Sequence, residues 1–135
     1  MTRSDILGQF DSHDILPTPQ RVRIAEILLA EPQHLSAEQI IDRLRNSGST
    51  VSKATVYNTL NLFGEHGLVK ELCVDPERRY YDSRTSLHHH FYNVDTGELI
   101  DIDESQVNFS QLPDLPDGTR GESVEVLIRV RSEPD

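Results

Sequence analysis

Apolar residues recur at helical spacing in four segments of the first half of the chain. The first segment, Asp5 to Ser12, is short, and the prolines of the Leu16-Pro17-Thr18-Pro19 stretch end it. The other three segments each follow a residue that can cap a helix N-terminus, namely Thr18, Ser36 or Ser52. Ser36 is also followed by Gln39, which completes a capping box. The pattern therefore predicts four helices.

Beyond Gly67 the pattern becomes strand-like. Leu68 to Val74 and Arg79 to Tyr81 are separated by Asp75-Pro76-Glu77, a sequence typical of a turn. Three helices followed by a two-stranded hairpin is the order of a winged helix. We therefore expect the fourth predicted helix to be the one presented to double-stranded DNA.

The last part of the chain is also strand-like. His89 to Asn93 and Glu98 to Ile102 flank Asp95-Thr96-Gly97, which predicts a hairpin. Leu112 to Gly121 contains two prolines and two glycines and is expected to be a loop. Val124 to Val130 alternates apolar and charged residues, which predicts a strand at a sheet edge or across a dimer.

The predicted fold class is α+β with two domains. Residues 1–83 are expected to form a winged-helix DNA-binding domain, and residues 84–135 a small α/β domain for metal binding and dimerisation. The net charge of −10 argues against nucleic acid, but residues 1–83 carry only −3 whereas residues 84–135 carry −7. A local positive face is therefore still open to the first domain. Its candidate members are Arg21, Arg23, Lys53, Lys70, Arg78 and Arg79.

Chain length and cysteine content limit the alternatives. Two domains within 135 residues would each have a thin core, so burial between the subunits of a homodimer is expected to add stability. We find no signal peptide and no apolar run that could span a bilayer, which predicts a cytoplasmic location and no membrane partner. The single cysteine, Cys73, excludes an intramolecular disulfide and a paired-cysteine zinc site. It is expected to be a buried or half-buried thiol.

The fourth predicted helix concentrates groups that DNA contact requires. Lys53, Thr55, Tyr57 and Asn58 lie near its start, where such a helix enters the major groove. Asparagine can pair with adenine, and threonine or tyrosine can pack on a thymine methyl group. With Arg21 from the second helix, these residues are the predicted DNA contacts.

The segment Lys53 to Leu60, continued by Phe63 and Gly67-Leu68-Val69, resembles the recognition-helix signature of the ferric uptake regulator family. The resemblance extends over roughly residues 15 to 130. It implies a dimeric repressor that reads a palindromic AT-rich operator. Asn58 after Tyr57 is similar to the peroxide-sensing and haem-responsive branches of the family, since the iron-uptake repressor usually has an arginine there.

His88-His89-His90 is the most unusual feature of the sequence. Alternate residues of a strand share a face, so His88 and His90 would project together while His89 points away. Such a pair can bind one metal ion, with Asp82 or Asp101 completing the set of ligands. Taken alone, a histidine triplet is more typical of a solvated turn.

The family resemblance favours the metal site. In this family a sensing site is built from a histidine between the second and third helices, an acid at the end of the wing, a His-x-His pair and an acid on the next strand. The residues at those positions are His34, Asp82, His88, His90 and Asp101. Three imidazoles and two carboxylates without thiolate suit Fe(II) or Mn(II) and tolerate Zn(II).

The sequence determines the molecule that the protein senses less clearly than the residues of the metal site. The absence of Cys-x-x-Cys motifs and the intact triplet are similar to the iron response regulator branch, which implies regulation of iron or haem homeostasis and haem binding at His89. Without haem, His89 would be a surface histidine. The alternative is a peroxide sensor in which His34 or His88 is oxidised. A metalloenzyme, or a winged helix that binds protein instead of DNA, is a further alternative.

Overall fold

The computed structural model describes residues 1–75, 78–86 and 88–134. The chain divides into two compact units, Met1–Thr85 and Ser86–Asp135. Each contains its own sheet, and the first also contains four helices, so the predicted α+β class is confirmed. None of the helices in the described part of the chain has the length and apolar character that a membrane span requires.

Three of the four helices in the first unit begin where the predicted capping residues place them. Thr2, Thr18, Ser36 and Ser52 each accept a hydrogen bond from a backbone N–H in the first helical turn, and Gln39 closes the predicted capping box at Ser36. The first helix begins two residues before the predicted Asp5 because Thr2 caps it. The helices are α1 (Arg3–Ser12), α2 (Pro19–Leu28), α3 (Ala37–Asn46) and α4 (Lys53–Glu65).

The wing is a three-stranded sheet, and the prediction of a two-stranded hairpin was incomplete. Strands β2 (Lys70–Asp75) and β3 (Arg78–Asp82) form the expected antiparallel pair. A short strand that sequence analysis missed, β1 (His34–Ser36), pairs with the other edge of β3. Pro76 and Glu77 of the predicted turn lie outside the described residues.

One apolar core holds the first unit together. It is formed by buried residues from all four helices and from the wing, and the aromatic rings of Phe10 and Phe63 meet in it with centroids 5.5 Å apart. The helical stripes predicted from the sequence supply most of it: Val22, Ile24, Ala25 and Leu28 of α2, Ile40, Ile41 and Leu44 of α3, and Val56, Leu60 and Phe63 of α4.

The second unit is a three-stranded sheet with strand order β5-β4-β6. Strands β4 (His89–Asn93) and β5 (Leu99–Ile102) form the predicted hairpin, and β6 (Leu127–Val130) lies at the sheet edge. β6 pairs with β4 in parallel within the same chain, a pairing that local pattern did not reveal. A single 3₁₀ turn (Glu104–Gln106) follows β5, and residues 111–121 contain no helix or strand, as expected of a loop.

The exposure of the Cys73 thiol differs from the expectation. Cys73 is exposed, not buried or half-buried; it lies on β2 opposite the exposed Arg79, farther along the hairpin than the buried Tyr81. Its S–H lies 3.8 Å from a carboxylate oxygen of Glu71, two residues away on the same face of the strand. The neighbouring Leu72 and Val74 occupy the more buried face.

Candidate functional site

In the first unit, a histidine and an aspartate lie directly opposite each other on neighbouring strands. His34 of β1 is in register with Asp82 of β3, so both side chains project from the same face of the wing. Sequence analysis had placed His34 between the second and third helices, where β1 lies. The β1–β3 pairing brings it to the acid at the end of the wing, 48 positions later in the chain.

Asp82 is fully buried, and the backbone N–H of Arg84 donates to its Oδ1 at 2.8 Å. A buried carboxylate is costly unless it is hydrogen-bonded, paired or bound to a cation. The same hydrogen bond holds the carboxylate at the end of the wing. Asp82 and His34 therefore form one preformed nitrogen–oxygen pair within this unit.

In the second unit, two imidazoles converge on one carboxylate. Nε2 of His88 lies 3.4 Å and Nε2 of His90 lies 3.3 Å from Oδ1 of Asp101, and the two rings have centroids 4.5 Å apart. Both histidines are buried. His90 is directly opposite Asp101 across the β4–β5 hairpin, and His88 lies one residue before β4.

The donor set of this cluster fits a divalent metal ion. Nδ1 of His88 lies 2.7 Å from the carbonyl oxygen of Ser86, so Nδ1 carries the proton and donates it. In the neutral form of the ring, the lone pair of Nε2 faces Asp101, and two acceptors face each other stably only with a proton or a cation between them. Ligand atoms about 2.1 Å from one ion lie roughly 3.0 to 3.4 Å apart in octahedral or tetrahedral geometry.

His89 points away from this cluster, as alternation predicts, but it is not a surface residue. Its ring is buried, and Nδ1 accepts a hydrogen bond from the backbone N–H of Val126 at 2.9 Å. The ring of Phe109 covers it in an edge-on contact with centroids 6.3 Å apart. The surface-histidine expectation was wrong because residues after β5 fold back over this side of β4.

Three of the five predicted DNA contacts lie in one groove of the first unit. Arg21 of α2 and Thr55 and Asn58 of α4 line a groove of about 430 Å³. The guanidinium of Arg21 donates to the carbonyl oxygen of Leu16 at 2.7 Å, which orients it along the start of α2. Thr55 accepts from the capping hydroxyl of Ser52 at 2.9 Å.

The remaining two predicted contacts, Tyr57 and Lys53, interact with Glu38 of α3, an acid that sequence analysis did not single out. The hydroxyl of Tyr57 donates to Oε1 of Glu38 on α3 at 2.5 Å. This hydrogen bond lowers the pKa of Glu38, and the nearby positive charge of Lys53 lowers it slightly further. No local pattern could have revealed the pair, because Glu38 reads as an ordinary acid in the first turn of a helix.

Comparison with known proteins defines the class. The model of the ferric uptake regulator family matches residues 13–117, and the chain belongs to this family. The ferric uptake regulator from Pseudomonas aeruginosa, solved with manganese, is 25% identical and superposes with a TM-score of 0.73, covering 99% of this chain and 100% of that one. The iron-containing regulator from Francisella tularensis gives a TM-score of 0.70 at 23% identity, over 87% and 92% of the two chains.

A peroxide-responsive repressor, PerR of Staphylococcus aureus, is 33% identical over 91 residues. The match covers 67% of this chain and 62% of that protein, so it spans less than two thirds of the relative's length. Members of the family are transcription regulators and not enzymes, in agreement with the prediction made for this chain. The family fold, a winged-helix domain followed by an α/β dimerisation domain, confirms the predicted architecture.

Proposed function

We propose that this protein is a metal-responsive transcription regulator that binds a palindromic AT-rich operator as a homodimer. The observation that carries the proposal is the presence in one chain of a winged helix and of a buried cluster of imidazole and carboxylate ligands. Family membership supports the same function. A cytoplasmic location follows from this role and stays a prediction.

For DNA recognition we propose Lys53, Thr55, Tyr57 and Asn58 of α4, with Arg21 of α2. The groove shared by Arg21, Thr55 and Asn58 supports this assignment because a cation for phosphate lies beside an amide that can read a base edge. Lys53 is the first residue of α4, where the helix N-terminus also favours phosphate.

For the metal we propose one site made from His34, Asp82, His88, His90 and Asp101. Support comes from the family pattern and from the two half-sites, each preformed within its own unit. The ion would supply positive charge to ligands from both units and so couple metal binding to DNA binding by the winged helix. An allosteric coupling of about 1–3 kcal/mol would change DNA affinity roughly 5- to 150-fold. The ligand types favour Fe(II) or Mn(II) and accept Zn(II).

For dimerisation we propose one face of the second sheet. Ile100, Phe91 and Ile128 lie side by side across β5, β4 and β6, because Phe91 is in register with both isoleucines. The side chains of Ile100 and Ile128 are exposed, at 47% and 40%. A second copy of the chain would remove this apolar row from water, which is the main source of association free energy.

We propose two alternative signals to which the regulator responds. The absence of paired cysteines and the histidine triplet favour iron or haem, with His89 as the haem ligand. Because Nδ1 of His89 accepts from the backbone N–H of Val126, the neutral ring carries its proton on Nε2, so haem binding to either nitrogen would require this hydrogen bond to be given up. The similarity to PerR favours the second candidate, a peroxide sensor in which His34 or His88 is oxidised.

Fluorescence anisotropy with a labelled AT-rich palindrome tests the central proposal. We expect Mn(II) to change the affinity of the wild type for DNA, and His90→Ala to abolish this response while His66→Ala, a histidine outside the proposed ligands, retains it. Asn58→Ala should lose operator preference, whereas Asn46→Ala at the end of α3 should keep it. Absence of DNA binding with every metal and with haem would refute the regulator function.

Two further measurements separate the signals. Haem titration should change the absorbance spectrum of the wild type and not of His89→Ala if haem is sensed. Mass spectrometry after Fe(II) and peroxide should find added oxygen on His34 or His88 if peroxide is sensed. A silent result in either experiment removes that candidate and leaves the other.

A further inference from the structure

A short hydrogen bond joins α4 to α3 on the surface of the first unit. The hydroxyl of Tyr57 donates to Oε1 of Glu38 at 2.5 Å, across 19 positions of sequence. Tyr57 keeps 37% of its surface exposed, so the bond anchors the tip of the ring while part of the ring stays open to a ligand. An O–H donor on a carboxylate is among the stronger hydrogen bonds.

The pKa shifts of Glu38 and Tyr57 show that the proton of their hydrogen bond belongs to the tyrosine oxygen. The bond lowers the pKa of Glu38 and raises the pKa of Tyr57, so the carboxylate is ionised and the phenol is neutral at physiological pH. Lys53, at the start of α4, and Arg78, at the start of β3, also lower the pKa of Glu38. One carboxylate therefore lies among cations that the first unit could offer to phosphate.

Packing of α3 against α4 does not require this bond. The two helices already share buried residues, with Ile40, Ile41 and Leu44 of α3 and Val56 and Leu60 of α4 in the same apolar core. A hydrogen bond at an exposed position adds little to such an interface. What it does determine is the direction of the Tyr57 ring, since an aromatic side chain has only two rotatable bonds and one end is anchored.

We propose that Glu38 is a specificity-determining positioning residue for DNA recognition. It holds the Tyr57 ring in one orientation for contact with a base, and its charge opposes phosphate contacts by Lys53 and Arg78, which lowers affinity for DNA of any sequence. The proposal rests on the DNA-binding function proposed above. Preorganising the ring removes the ordering cost that a mobile side chain would incur on binding.

Three substitutions separate the hydrogen bond from the charge. Glu38→Gln removes the charge and keeps an oxygen acceptor for Tyr57. Glu38→Ala removes both, and Tyr57→Phe removes the bond while keeping the ring and the carboxylate. The probes are a palindromic duplex selected by the Mn(II)-loaded wild type from a random library and a scrambled duplex of the same composition, each measured by anisotropy over a range of salt concentrations.

We expect the ratio of selected to scrambled affinity to stay within about twofold of wild type in Glu38→Gln. In Glu38→Ala and Tyr57→Phe the ratio should fall about five- to tenfold, the lower range for loss of one base contact. Affinity for the scrambled duplex should rise roughly two- to fivefold in both Glu38 variants. Their salt dependence should steepen by about one contact, since phosphate contact by a nearby cation is no longer opposed by the charge of Glu38.

The matched control for charge is Asp11→Asn on α1, which removes one exposed negative charge from the same unit. It should change neither the affinity for the scrambled duplex nor the salt dependence in the way that Glu38→Gln does. An unchanged ratio in both Glu38→Ala and Tyr57→Phe, with folding verified by circular dichroism, overturns the positioning role. A wild type that shows no preference in the random library overturns the sequence-specific DNA recognition proposed above, and the inference with it.

Discussion

The two units of this chain differ sharply in how far they can bury their own apolar surface. Every residue of the described apolar core cluster belongs to Met1–Thr85. Among the residues that the structure describes, the second unit buries three apolar side chains and leaves six large apolar side chains exposed. The exposed set is Ile100, Phe109, Leu112, Leu115, Val124 and Ile128.

This difference teaches that the two units have different sources of stability. The first has a core to which α4, the helix that we propose reads DNA, contributes buried residues. The second places three histidines in its interior and leaves a row of apolar residues on one sheet face. Such a unit is expected to gain much of its stability from a second subunit and from a bound ion.

The largest effect is expected from a cavity in the first unit. Phe63→Ala removes a fully buried ring that packs on Phe10, and should lower the free energy of unfolding by about 3–5 kcal/mol. Urea denaturation followed by circular dichroism measures this loss. Phe109→Ala, at a ring that is 45% exposed in the second unit, is the matched control and should cost much less. Equal costs would contradict the contrast between the units.

A charge on the apolar row of the second sheet should break the proposed dimer. Ile100→Glu would bury a carboxylate against a second copy, and we expect association to weaken by at least about 2 kcal/mol, the size of an interface hot spot. Analytical ultracentrifugation gives the dissociation constant. Leu115→Glu, at another exposed apolar residue of the same unit, should leave it nearly unchanged. A dimer that tolerates Ile100→Glu would place the interface elsewhere.

A buried phenol in the wing gives a smaller effect with a defined pH dependence. The hydroxyl of Tyr81 has no hydrogen-bond partner within the described residues, and burial raises the pKa of Tyr81 to about 12. An unfolded tyrosine ionises near pH 10. Between these values the unfolded state loses its proton first, so stability is complete below pH 10 and falls as pH rises toward 12.

Tyr81→Phe should therefore reduce this loss of folding stability at alkaline pH. At neutral pH it should be neutral or stabilise the first unit by about 1 kcal/mol, because it removes a buried hydroxyl without a partner. Thermal unfolding from pH 8 to pH 11 measures both effects. Tyr80→Phe on the same strand should keep the alkaline loss that Tyr81 causes, and an identical pH profile for wild type and Tyr81→Phe would contradict the assignment.

The smallest effect is expected at the surface of the second unit. Arg131 lies 3.3 Å from Oδ1 of Asp95, but its side chain is 77% exposed, so Arg131→Ala should cost less than about 0.5 kcal/mol. Asp95→Ala should cost more, since the same carboxylate also accepts from the backbone N–H of Ser132 at 3.0 Å. Hydrogen exchange at Ser132 distinguishes the two, and faster exchange in Arg131→Ala alone would reverse the expected order.

Local chemistry made much of this structure predictable. Helix starts at Thr18, Ser36 and Ser52 follow from capping, and the β4–β5 hairpin follows from strand alternation and its turn. Alternation also predicted that His88 and His90 lie together and His89 apart. In each case the decisive partners are a few residues apart, so the backbone geometry of one element determines the outcome.

Pairings between distant segments were decided only by the tertiary structure. The β1–β3 register that sets His34 opposite Asp82, the parallel β6 strand and the Tyr57–Glu38 bond each join residues far apart in sequence. Burial of His89 and exposure of Cys73 depend on which chain segment covers which strand face. The sequence by itself thus determined which elements form and which residue types could bind metal and DNA. Their relative placement depended on long-range packing, whose partners no local period specifies.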